Sequence, residues 1–86
     1  MFWYELSAVL EHKHGKKKNE LRFFEAQDDA SASKKAKVLL NDLASSFDHS
    51  HASVTEKTLR RVQIVWEQFR KTRMVRAVRR IHEVSL

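Results

Sequence analysis

Seven of the chain's eight arginines fall between residues 58 and 81, in the run TLRRVQIVWEQFRKTRMVRAVRRI. Guanidinium groups at that density point first to the recognition of anions. An arginine fork gives a phosphate or carboxylate two parallel hydrogen bonds, which a lysine ammonium cannot do. From Ser53 onward arginine outnumbers lysine seven to two, although the two are nearly balanced over the whole chain. Arg60, Arg61, Arg70, Arg73, Arg76, Arg79 and Arg80 are therefore the candidate contacts. Lys16, Lys17 and Lys18 form a second basic run that could add phosphate contacts, though such a run in a loop is more ordinarily a solvated surface.

The net charge of +6 is unevenly placed. Up to Ala52, eight basic residues meet eight acids; from Ser53 on, nine basic residues meet only Glu56, Glu67 and Glu83. The whole excess belongs to the last third, and a field of that kind draws polyanions or acidic protein surfaces.

Other chemistry is sparse. His12/His14 and His49/His51 are His-x-His pairs, and in extended backbone each could hold one side of a metal site. Pairs of this kind also arise by chance in polar loops of a chain with five histidines, so no metal or other cofactor is expected. Trp3, Tyr4, Phe23, Phe24 and Trp66 could stack on bases, but most serve a core in a chain this short. Glu5 and Glu25 could face each other across a hairpin. Nothing else resembles a catalytic constellation: cysteine is absent, glycine occurs once, and no Gly-rich phosphate loop or nucleophile elbow is present. A non-catalytic protein is expected.

The elements that must position these residues can be read in part. Eighty-six residues make one small domain, 1–86, with a thin core. Residues 2–11 alternate in polarity as a half-buried strand does, and residues 20–26 do so again. Between them Gly15 is the natural place for a reversal. An antiparallel hairpin follows. Residues 30–47 carry Ala32, Ala36, Leu39, Leu40, Leu43 and Phe47 at helical spacing, after acids at 28 and 29 suited to a helix start.

The last third admits three arrangements. Residues 53–86 hold no Gly, Pro, Asn or Asp, which favours helix, yet the apolar stripe breaks at Arg70, Lys71 and Thr72. The preferred expectation is an α+β fold: the hairpin, the amphipathic helix, a third strand over 59–68, and a short basic C-terminal helix over 72–84. On that helix Arg73, Arg76 and Arg80 would share one face. A second hairpin turning at 69–72, or an all-helical C-terminal third, are the alternatives.

The expected function is binding of a polyanion, nucleic acid foremost, through the Arg-rich C-terminal face. The rival is a protein-interaction module, an adaptor, inhibitor or subunit, docking on an acidic partner surface, with association into a homo-oligomer as one form of it. No apolar run approaches the ~20 residues a membrane span needs, and the first residues lack the basic start of a signal peptide. No membrane role and a cytoplasmic location are expected.

Overall fold

The computed structural model describes residues 1–12, 14–46 and 52–86. Alternating polarity produces two ten-residue strands, β1 (Phe2–Glu11) and β2 (Lys17–Ala26), paired antiparallel from Phe2↔Ala26 to Glu11↔Lys17. Gly15 makes the reversal at φ 82°, a backbone region that costs other residues steric strain, and its N–H donates to the His12 carbonyl at 2.8 Å. Lys17 and Lys18 belong to β2, so of the three lysines only Lys16 lies in the turn.

Helix α1 (Asp29–Ser46) begins at a cap: the Ser31 N–H donates to Asp28 Oδ1 at 2.8 Å. Ala32, Ala36 and Leu40, four residues apart, are buried against the sheet. Two alanines in that row let the helix backbone approach the strands closely. Of the apolar stripe expected from the sequence, Ala32, Ala36, Leu39 and Leu40 pack against the sheet and Leu43 is half-buried; Phe47 lies outside the described residues.

The C-terminal third corrects the preferred expectation. No basic helix covers 72–84. Instead β3 (Ser53–Phe69) and β4 (Thr72–Val84) form a long antiparallel hairpin turning at Arg70 and Lys71. The physical reason lies in the side chains. Val62, Ile64, Val65 and Trp66 face Val75, Val78 and Ile81 across or beside the ladder, and β-branched and aromatic pairs stabilise strands. The lack of turn residues is met by Arg70 itself, which takes φ 58°. A left-handed residue of that kind matches the twist of a tight hairpin.

The result is an α+β fold, one four-stranded antiparallel sheet in the order β2-β1-β3-β4 with one helix on one face. Cross-strand partners share a face, so register assigns the sides. Tyr4, Leu6, Ala8 and Leu10 of β1, with Phe24, Ala26, Leu59 and Val84, lie on the helix side. Trp3, Glu5, Ser7 and Val9, with Leu21, Phe23, Arg60 and Val62, lie on the open side. No helix among the described residues is long and apolar enough to cross a membrane.

A cluster missed in the sequence ties the helix start to the sheet. The Tyr4 hydroxyl donates to Asp29 Oδ1 at 2.8 Å, and His82 Nε2 lies 2.8 Å from Asp29 Oδ2. The Tyr4 hydroxyl is pushed up to about 12, chiefly by burial and then by its bond to Asp29. The folded chain thus holds this proton more tightly than the unfolded one. Stability from Tyr4 is complete below about pH 10, the ordinary value, and is lost as pH rises towards about 12. Alkaline denaturation should show that slope, and Tyr4→Phe should remove it. In the turn, Arg70→Gly should relieve about 1 kcal/mol of left-handed strain, partly offset by unfolded-chain entropy. A denaturant midpoint equal to or above the parent's is expected; a clear loss would show that the Arg70 side chain holds the turn.

Candidate anion-binding arm

β1 accompanies β3 only as far as Trp3↔Val62, whereas β4 stays with β3 to Phe69↔Thr72. Residues 63–69 and 72–79 are therefore a two-stranded arm extending past the rest of the sheet. It carries Arg70, Lys71, Arg73, Arg76 and Arg79 against a single acid, Glu67. Register shifts at Arg61/Val62 and at Val65/Trp66 leave Ile81 and Arg76 as extra residues on β4. Such bulges sharpen the local twist and re-aim side chains.

The seven arginines separate into two groups. Arg60, Arg61 and Arg80 are engaged within the fold. Glu5, on the central strand and only 3% exposed, accepts from Arg80 Nε at 3.3 Å and lies 3.8 Å from Arg60 Nη1. Arg60 also reaches Glu83 at 3.5 Å. Arg61 lays its guanidinium 3.4 Å from the centre of the Phe2 ring, and its buried Nε has no hydrogen-bond partner among the described residues.

The second group is on the arm. Arg73 lies 4.5 Å over Trp66, and Arg70 lies 5.5 Å from the Phe69 ring. Lys71, Arg76 and Arg79 are exposed and form no ion pair among the described residues. The one-face set of Arg73, Arg76 and Arg80 does not form, because it presupposed a helix. Arg73 and Arg80 share the open side through their partners Gln68 and Val62, Arg79 with Gln63 takes the other, and Arg76 sits at a bulge.

The remaining sequence candidates lie apart from the arm. Lys16, Lys17 and Lys18 are at the opposite end of the sheet, where Lys17 is opposite Glu11, and Lys18 pairs with Glu20 at 3.1 Å. Glu5 is opposite Phe23 and Glu25 opposite Trp3, so the two carboxylates share the open side in different rows. Tyr4 and Phe24 stack beneath the helix at 5.9 Å, while Trp3 and Trp66 meet edge-on at 6.0 Å on the open side. The rings of His12 and His14 are 5.2 Å apart. His49 and His51 lie outside the described residues, and among those described no three His, Asp or Glu side chains converge as a metal site would need.

What sequence reasoning missed is the contact of Glu5 with Arg60 and Arg80. The strand position of Glu5 was legible, but not which arginines would reach it from 55 and 75 residues away. The whole is a ββαββ module with a basic β-ribbon arm. In comparisons with protein-family models, curated proteins and solved structures, nothing matches the chain.

The buried carboxylate makes the ion pairs asymmetric. The side chain of Arg80 is 63% exposed and that of Arg60 29%, so both can turn to water if Glu5 loses its charge. Glu5→Gln should cost no more than about 1 kcal/mol. Arg60→Ala with Arg80→Ala strands the carboxylate and should cost about 3–5 kcal/mol. Adding Glu5→Gln to that pair should recover most of the loss in a denaturant titration. A triple variant no more stable than the double would show that the arginines act by packing instead.

Proposed function

We propose that this chain is a non-catalytic module that binds a polyanion, nucleic acid foremost, through the β3–β4 arm. One observation carries this: five cations, Arg70, Lys71, Arg73, Arg76 and Arg79, none of them in an ion pair among the described residues, lie together on a ribbon that outruns the sheet. Cations held away from carboxylates remain available to phosphates. A two-stranded ribbon also fits the major groove of a duplex, about 12 Å wide.

Arg60, Arg61 and Arg80 support the arm from its base, and Arg70, Arg73, Arg76, Arg79 and Lys71 make the contacts. Lys16, Lys17 and Lys18, at the far end, take no part. Neutralising four or five phosphates should weaken binding roughly 150- to 500-fold between about 50 and 200 mM salt. Fluorescence anisotropy on duplex DNA, single-stranded DNA and RNA at those two salt concentrations measures this. Arg76→Ala with Arg79→Ala should weaken binding to every sequence and flatten the salt slope by about two, while neutralising the three lysines leaves both unchanged. Binding indifferent to salt would overturn the proposal.

A second possibility rests on a separate observation. Phe69 and Met74, at the tip of the arm, are more than half exposed, and Val75 nearly so. Apolar side chains ringed by arginine also suit an acidic protein surface. An intact arm that binds no nucleic acid even at low salt would favour this protein partner.

A further inference from the structure

The two edges of the sheet are built differently. An edge strand presents unpaired amides and carbonyls to any strand that can dock. β4 is interrupted at Arg76 and Ile81, and its Arg73, Arg76, Arg79 and Arg80 would set like charges together in a self-pairing. β2 pairs with β1 through all ten residues without a bulge, so its outer edge is regular; two outward carbonyls there, Leu21 and Glu25, accept from Arg22 Nη1 at 2.9 Å and Lys35 Nζ at 2.8 Å, long exposed side chains that a docking strand would displace. Apolar side chains border that edge on both faces. Leu21 is 50% and Phe23 37% exposed on the open side. On the other side Phe24, Val38 and Leu39 line a groove between β2 and α1.

We infer that β2 pairs antiparallel with β2 of a second copy, across a two-fold axis at Leu21. This is independent of nucleic-acid binding by the arm. Only alternate residues of an edge strand turn their amide and carbonyl outward, so each must meet a residue of its own parity. Two-fold symmetry then sets one residue opposite itself.

The charges choose the residue. An axis at Glu20 opposes two glutamates and sets Lys18 against Arg22. An axis at Arg22 opposes two arginines. An axis at Asn19 halves the length of the pairing, and one at Phe23 forms no pair of opposite charges. With the axis at Leu21, leucine meets leucine, Glu20 meets Arg22 twice, and Lys17 meets Glu25 twice, while Asn19 meets Phe23 and Lys18 meets Phe24, where the lysine stem can lie along the ring. Glu20 already holds Arg22 at 2.8 Å and Lys18 at 3.1 Å within its own strand, so the pairing would extend an existing ion chain. Same-parity pairing also keeps both helices on one face, with the Phe24–Val38–Leu39 grooves adjoining across the axis.

The test is sedimentation of the full chain over a range of concentrations, with circular dichroism to verify folding. The parent should dimerise. Leu21→Lys and Leu21→Glu, at a half-exposed position, should each remain folded and raise the dimer dissociation constant roughly 100-fold or more. An equimolar mixture of the two variants should restore a dimer, because opposite charges then meet on the axis. A monomeric parent, variants that still dimerise, or a mixture that stays monomeric would each overturn the inference.

Discussion

One helix has to cover four strands, and most of the architecture follows from how little it can reach. α1 has 18 residues and rises about 27 Å; β3 has 17 and, fully extended, spans about 55 Å. The helix therefore shelters one face of the sheet, over β1 and the adjoining parts of β2 and β3. The fully buried residues gather there: Tyr4, Leu6, Ala8, Ala26 and Leu59 against Ala32, Ala36 and Leu40. Every residue of β3 beyond Val62 is past the last β1 ladder partner and pairs with β4, the Trp3–Trp66 edge contact being the ring link back to β1. The arm is what remains of a strand pair longer than its cover.

Among the described residues no second layer covers the open face, and its side chains compensate in two ways. Long cationic side chains lie over apolar rings, as Arg73 does over Trp66, keeping the charge wet while shielding the ring. In the central rows a charge is buried and matched. Glu5 would be costly alone at its depth, but Arg60 and Arg80 approach it from β3 and β4. That contact binds the base of the arm to the central strand. The arm thus emerges from a braced junction, and two of the seven arginines are used to make it.

How much of this was legible depends on the range of the interaction. Local patterns were readable: alternation in β1, the reversal at Gly15, the Ala32–Ala36–Leu40 row, the acids at the helix start. The break at Arg70 and Lys71 was also visible, as a loss of helical phase. What it meant was not, because a turn without Gly, Asn or Asp carries no local signal; the ladder imposes φ 58° on Arg70. Residues 72–84 are arginine-rich and free of helix breakers, so propensity allowed helix. Pairing with β3 overrode it, and pairing is a property of two segments together. The partition of the arginines was illegible for the same reason. Nothing near Arg80 in sequence announces that its carboxylate is Glu5.

That partition changes what the arginine density means. Seven guanidinium groups in one run suggest one continuous anion-binding face, yet strand geometry divides them by alternation and by distance from the acids of the sheet. Close to β1 they meet Glu5, Glu83 and the Phe2 ring, and their charge is spent inside the fold. Beyond Val62 the only acid within the ribbon is Glu67, so the positive field survives there. A helix over 72–84 would have displayed Arg73, Arg76 and Arg80 as one stripe. The ribbon instead spreads its cations over two faces and a bulge, a display suited to a partner that surrounds the arm, as the walls of a groove do, better than to one that touches a single side.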